Sequence, residues 1–302
     1  LDHNIMNDAG IMSDNPSSLF PSIVDASQIA NGRVSVTANF IHAEQVDALR
    51  ADANALYCAG AFVKGGLRRR YDNKKNGTSS VDVKTATDER TRLCDVCGLF
   101  DDAENADETV GDRDAREDLL DLMSELREML QKELGVKLLE SMELQYLRYP
   151  GRSSSSGDGK NMGFYQRHFD HTGDDDKPYR RKVSLLLYLN KDGWSADDGG
   201  ILRAYVRPKR KSGDACNNVH DIVPEGGKLV LFDSTSVEHE VLPTCKERWA
   251  VVGWFLIDKE TKSETAGVRG GGEKRSRHSG KEQTTSSKKK KNKRRKQRQA
   301  NG

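Results

Sequence analysis

The sequence predicts an α+β fold, with helices first and a β-sandwich or barrel after them. Three observations carry that reading. Apolar residues recur at helical spacing in two stretches before Gly135. Beyond Gly135 the period shortens, and short runs rich in Val, Leu, Ile and aromatics follow. Clusters of Gly, Asp, Asn and Pro, which mark turns, separate those runs.

Taken in order, residues 1–36 are rich in Asn, Asp, Ser and Ala, lack lasting periodicity and read as mostly disordered. From Ala43 to Ala59, Val46, Leu49, Ala53, Leu56 and Tyr57 fall on helical spacing, and Gly60 stands where a C-cap belongs. Lys64–Asp112 reads as loop, basic first and then acidic, with the cluster Asp101, Asp102, Glu104, Asp107 and Glu108. Arg113–Leu134 is the clearest helix. Leu119, Leu122, Met123, Leu126, Met129 and Leu130 form one stripe between an Asp112 N-cap and a Gly135 stop. Ser141–Tyr149 alternates in part and ends at the Pro150-Gly151 turn. A Ser/Gly loop, Arg152–Lys160, follows. The remaining strand-length runs are Val183–Asn190, Ile201–Val206, Lys228–Asp233 and Arg248–Ile257. No internal repeat is visible, and from Thr261 onward Gly, Ser, Lys and Arg leave nothing to build a core.

Composition sets the limits. Of 302 residues, 35% are hydrophobic and 32% charged, which fits one core of about 200 residues with disordered ends. No run approaches the ~18 apolar residues of a membrane-spanning helix, and the longest, Ala250–Ile257, is of strand length. The chain therefore reads as one without a membrane span. Five Cys at irregular spacing favour a reducing compartment over a disulfide scaffold. The chain opens on Leu1, which leaves room for a trimmed leader. The net charge of +2 conceals an asymmetry: residues 259–302 carry 16 Lys and Arg against 4 Glu, a net of +12, and the rest carries −10. The run Lys288–Arg298 reads either as a nuclear-import or nucleic-acid-binding segment or as a solvated tail.

His168-Phe169-Asp170 sets two metal-ligand types at i and i+2, on one face of an extended chain. Alone this is a short motif that chance supplies, equally a surface His and Asp in a turn. His239 strengthens it: two His and one carboxylate can hold one face of an octahedral Fe(II) and leave three positions open. Arg248, nine residues further on, opens the last strong strand and would place a cation deep in the same barrel mouth. That suits a dicarboxylate co-substrate, one end chelating iron and the other on the planar guanidinium. His171 and His220 compete less well. His220 has Leu229, not a basic residue, nine positions on, and His171 falls on the side opposite Asp170. Cys94-x-x-Cys97 lacks the second pair of a zinc site, and Asp174–Asp176 reads as a solvated turn.

Several runs, in order and with compatible gaps, resemble one family. They are RYPG (Arg148–Gly151), RHFD (Arg167–Asp170), YLNKD (Tyr188–Asp192), GGILR (Gly199–Arg203), HEVLP (His239–Pro243) and RWAVVGWF (Arg248–Phe255). The stretch from Tyr146 to Ile257 resembles the catalytic jelly roll of the Fe(II)/2-oxoglutarate dioxygenases. Within them it resembles the prolyl 4-hydroxylase branch, particularly the intracellular oxygen-sensing, hypoxia-inducible-factor type. The resemblance implies a double-stranded β-helix (jelly-roll) core at about 136–258, inside a 37–258 domain with supporting N-terminal helices and a basic 259–302 tail. It implies that His168, Asp170 and His239 bind iron, and that Arg248 and Tyr188 hold the distal carboxylate of 2-oxoglutarate. Tyr149 would stand near the co-substrate, and Leu186, Leu202 and Trp254 match pocket-wall positions, although all four read equally well as core residues. Two departures stand out. The region matching the family's substrate-covering loop, Arg68–Glu108, shows no clear match, and no zinc-finger module precedes the domain.

The activity so implied is hydroxylation of a prolyl residue in a protein substrate, with release of succinate and carbon dioxide and with ascorbate keeping the iron reduced. The compartment would be the cytoplasm or the nucleus. Two rivals stay open: a nucleic-acid demethylase of the same superfamily, suggested only by the basic tail, and a non-enzymatic binding module. The acidic cluster 101–108 would favour peptides with Lys or Arg near the target proline.

Overall fold

The computed structural model describes residues 24–65, 67–73, 80–86, 91–100, 109–152, 162–171, 177–206 and 218–259. The first 23 residues, the acidic cluster, most of the Ser/Gly loop, Asp174–Asp176 and the tail from 260 lie outside the described residues.

The first half of the chain gives α1 (Ala26–Ala30), β1 (Ser35–Thr37), α2 (Ala43–Cys58), β2 (Val63–Lys64), β3 (Leu67–Asn73), β4 (Ser80–Ala86), β5 (Arg92–Leu93), β6 (Asp95–Gly98) and α3 (Arg113–Leu134). The second gives β7 (Met142–Tyr149), β8 (Phe164–His168), β9 (Tyr179–Tyr188), a 3-10 turn at Ala196–Asp198, β10 (Leu202–Val206), β11 (Asn218–Ile222), β12 (Leu229–Asp233), β13 (Glu238–Val241) and β14 (Arg248–Asp258).

The long helices form for the reasons their sequences give. Asp112 caps α3 by accepting the Ala115 N–H at 3.0 Å, and Gly135 ends it in the left-handed region at φ 62°. Leu119, Met123, Leu126 and Leu130 are its buried stripe. A seven-stranded sheet runs β1-β12-β9-β14-β7-β6-β2, a five-stranded sheet runs β11-β10-β13-β8-β5, and β3 pairs with β4 as a hairpin. All pairings are antiparallel. This is the jelly roll that the resemblance implies.

Strand alternation divides the apolar residues into two clusters. Leu185, Leu187, Trp249, Val251 and Phe255 pack with the helices. Leu186, Tyr188, Ala250, Val252 and Trp254 pack with Leu202, Ala204 and Val241 of the smaller sheet. The large sheet is therefore buried on both faces, which is why β14 reads as an unbroken apolar run.

Three expectations need correction. Residues 24–36 are structured: Ala26 and Ile29 of α1 are buried, and β1 pairs with β12 through Ser35↔Leu231 and Thr37↔Leu229. A five-residue helix and a three-residue strand are too short to show a period. The Lys64–Asp112 region holds five strands rather than a loop. β2 and β5 are only two residues long and β3 is mostly polar, so they show no alternation to read. Beyond β7, strands β8, β11 and β13 were absent from the expected set. β11 exposes four of its five residues, so its sequence carries no apolar face.

Candidate metal and co-substrate site

Antiparallel pairing of β13 with β8 sets His239 opposite His168, with ring centroids 4.3 Å apart. β8 ends at His168, and a bend at Asp170 turns its carboxylate back. Oδ1 lies 3.5 Å from His168 Nε2 and Oδ2 lies 3.7 Å from His239 Nε2. The three ligand atoms are all within 4.8 Å of one another. The strand pairing brings His239 to the His168 and Asp170 pair, whose ligand atoms meet across two positions of the chain.

The tautomers follow from the backbone. His168 Nδ1 lies 2.7 Å from the Gln166 carbonyl, and His239 Nδ1 lies 3.4 Å from the Val237 carbonyl. A carbonyl only accepts, so each Nδ1 donates and each Nε2 faces Asp170. His168 Nε2 is buried without a hydrogen-bond partner. Burial pushes the His239 imidazole down to about 4, so it is neutral at neutral pH. Burial opposes ionisation of Asp170, but His239, His168 and Arg181 outweigh it and hold that carboxyl well below the usual carboxylate range. Two imidazole Nε2 atoms and a carboxylate thus face one point. Two imidazoles with one carboxylate on one side of a cation suit Fe(II).

Arg248 opens β14 opposite Tyr149 of β7 and is fully buried. None of its three guanidinium nitrogens has a hydrogen-bond partner. The rings of Tyr149 and Tyr188 lie 4.9 and 5.0 Å from its Cζ. The Tyr188 hydroxyl and the Trp254 indole N–H are also buried and unpartnered. Burial pushes the Tyr188 phenol up to about 12, so it remains a donor. Gly200 lets the backbone reach this pocket: at φ 67° a Cβ there would stand 2.8 Å from Arg248 Cδ. A buried cation with three vacant donors beside a free hydroxyl is a carboxylate receptor awaiting its anion. Leu186, Leu202 and Trp254 join Tyr149 and Tyr188 in the apolar cluster around it.

Other candidates fall away from this point. His220 is exposed on β11, where it pairs with Ala204, which in turn pairs with His239, so a whole strand separates it from the ligands. Among the described residues His171 is in no ligand group. Cys94 and Cys97 are buried on opposite faces, one in each apolar cluster, and form no half-site. Sequence reasoning missed Arg181. Its guanidinium stacks 3.4 Å over Trp254, its Nη1 donates to the Asp170 carbonyl at 3.4 Å, and Glu143 anchors it at 2.8 Å. Within the run Arg180-Arg181-Lys182 nothing distinguishes it from a solvated basic turn.

Residues 144–256 match the model of the 2OG-Fe(II) oxygenase superfamily. That stretch is thus similar to a 2OG-Fe(II) oxygenase domain. Human Egl nine homolog 1 is 27% identical over 227 residues, covering 74% of this chain and 43% of that protein. The rat protein of that name is 31% identical over 109 residues, 36% of this chain and 26% of that one. The chain thus spans less than half the length of these curated relatives. A crystal structure of a Pseudomonas putida prolyl-4-hydroxylase aligns with TM-score 0.54 and 29% identity, covering 76% of this chain and 95% of that one. A Trichoplax adhaerens prolyl hydroxylase, solved with a hypoxia-inducible-factor peptide fragment, shares the fold at TM-score 0.54 and 22% identity, covering 80% of this chain and 91% of that one. No helix among the described residues is long and apolar enough to cross a membrane.

Proposed function

We propose that this chain is an Fe(II)- and 2-oxoglutarate-dependent oxygenase that hydroxylates prolyl residues in a protein substrate, releasing succinate and carbon dioxide. The observation that carries this reading is the fully buried, unpartnered Arg248 guanidinium within the lumen that also holds the His168, Asp170 and His239 cluster. Similarity to prolyl hydroxylases supports prolines as the target.

In this reading His168, Asp170 and His239 hold the iron, which together with 2-oxoglutarate supplies the oxidising chemistry when bound. The Nδ1 hydrogen bonds to Gln166 and Val237 fix the imidazoles so that both Nε2 atoms face the metal. Arg248 pairs with the distal carboxylate of 2-oxoglutarate, and the Tyr188 hydroxyl donates to it. Tyr149, Leu186, Leu202 and Trp254 exclude water from the co-substrate. Arg181 holds the Asp170 backbone and the Trp254 ring in place. Ascorbate serves as the reductant that keeps the iron ferrous, and the chain acts in the cytoplasm or, through its basic tail, in the nucleus.

The test is incubation of the full chain with a proline-peptide library, iron, ascorbate and 2-oxoglutarate. A mass gain of about 16 Da, one oxygen atom, is expected on proline, with matching succinate. Reaction confined to methylated nucleic acid would reject the prolyl assignment in favour of demethylation. Absence of any 2-oxoglutarate binding would leave only a non-enzymatic module.

A further inference from the structure

The lumen holds a second guanidinium that the reaction above does not use. Arg92 and Cys94 stand two residues apart on one face, and Arg92 lies opposite Tyr165 where β5 pairs with β8. Arg92 Nε donates to Cys94 Sγ at 2.8 Å. Its Cζ sits 4.6 Å from the centre of the Tyr165 ring, and that ring stacks on His168 with centroids 3.6 Å apart and planes at 23°. Gly65 closes over the pair from outside: its N–H donates to the Cys94 carbonyl at 2.8 Å, and a Cβ there would stand 2.5 Å from Cys94 Sγ and 3.1 Å from Arg92 Nε.

Burial pushes the Cys94 thiol and the Tyr149 phenol up, so both are neutral near pH 7. Among the described residues the guanidinium meets a thiol and an aromatic face, and no carboxylate. The charged neighbours that do find partners show the contrast: Arg148 has Asp95 and Glu247, and Arg181 has Glu143. Arg92 is also only partly buried, so a ligand can reach it. An Arg held by its Nε keeps both Nη groups for a planar anion.

Resting on the prolyl-hydroxylase reading, we propose that Arg92 is the receptor for an acidic side chain of the polypeptide substrate. A single aromatic ring separates its guanidinium from the iron-side imidazole. An extended chain advances about 3.3 Å per residue, so the acidic residue lies within about three residues of the target proline. This opposes the preference for Lys or Arg that the 101–108 cluster suggests. A role toward 2-oxoglutarate is less suited, because Arg248 already serves its distal carboxylate.

The experiment uses the full chain with iron, ascorbate and 2-oxoglutarate, and proline peptides randomised over three residues on each side. Hydroxylated products should be enriched in Asp or Glu. In the best peptide, changing that acid to its amide should lower kcat/KM about tenfold, the size of one charged hydrogen bond. Arg92→Gln should erase the difference between acid and amide, Arg92→Glu should reverse it in favour of Lys, and Arg92→Lys should retain part of it. Anisotropy of the labelled peptide on metal-free chain should show the same order, independent of turnover. Should Arg92→Gln fail to fold, the Lys variant and the library carry the test. Enrichment in Lys or Arg, no charge preference, or an acid effect unchanged in Arg92→Gln overturns the proposal. So does a loss of 2-oxoglutarate affinity in Arg92→Gln with peptide preference intact. Hydroxylation without acidic preference defeats this inference alone, whereas no hydroxylation of any peptide defeats the prolyl reading and this inference with it.

Discussion

On the helix side of the large sheet, one buried carboxylate has its valences filled. Asp52 of α2 accepts the Tyr146 hydroxyl at 2.8 Å, Arg116 Nη1 at 2.9 Å and the Asp112 N–H at 2.7 Å. One carboxylate thereby ties both long helices to β7. On the lumen side, Arg248, Tyr188 and Trp254 are as deeply buried, yet their donors have no partner. Burying an unpaired donor or cation costs stability, so a chain keeps such groups only where something else completes them. The contrast separates the face that holds the fold from the face that holds ligands. A structural hub and a binding pocket are built from the same residue types and differ in whether their valences are filled.

The largest effect tests the lumen at its metal cluster. His168→Ala, Asp170→Ala and His239→Ala should each abolish succinate release and iron binding while the melting temperature changes little, because the ligands meet a cation and not the core. His171→Ala and His220→Ala should stay active. Full activity in His239→Ala would remove it from the ligand set. The opposite face should answer in the opposite manner. Asp52→Ala strands Arg116 and the Tyr146 hydroxyl and should destabilise the chain by about 3–5 kcal/mol, measured by urea unfolding. The folded fraction should keep its affinity for 2-oxoglutarate.

Arg248→Met sharpens the contrast further. Removing a charge from a saturated hub destabilises, but removing an uncompensated one should stabilise the ligand-free chain, by about 1–4 kcal/mol on the scale of hydrophobic replacements of buried ions. The stabilisation that 2-oxoglutarate confers on wild type should vanish at the same time. Arg248→Lys keeps the charge but loses the planar fork, and should bind 2-oxoglutarate more weakly than wild type. A destabilised Arg248→Met with unchanged 2-oxoglutarate affinity would put the anion elsewhere.

The sequence made some of this legible and not the rest, for physical reasons. The α3 stripe, its Asp112 cap and its Gly135 stop were readable because each acts within a few residues. Arg248 was readable through a charged residue opening an apolar run, and His239 through its spacing to that Arg. Arg181 and Arg92 were not, since their roles depend on partners far along the chain: Glu143 and Trp254 for one, Tyr165 and Gly65 for the other. The Asp52 hub was hidden for the same reason, because its partners lie 60 to 94 residues away. The apolar period showed which face of a strand is buried, but not whether a polar residue on that face is satisfied.

The smallest effect concerns the hydroxyl beside Arg248. Tyr188 is fully buried at the end of β9, its ring packed 5.0 Å from the guanidinium and its oxygen unpartnered. Tyr188→Phe keeps the ring, so the wall of the pocket and the packing against Ala250 across the strand pair should persist. What disappears is one donor to a charged oxygen, a bond of about 1–2 kcal/mol. In the ligand-free chain the same change removes a buried group without a partner and should leave stability equal or slightly higher. The 2-oxoglutarate affinity should fall by roughly five- to thirtyfold, less than in Arg248→Lys, and titration of both variants by calorimetry orders them. The two signs together are the test: lower affinity with undiminished stability marks a ligand-binding hydroxyl, whereas lower stability with unchanged affinity would make Tyr188 a core residue and move the boundary between the two faces one strand inward.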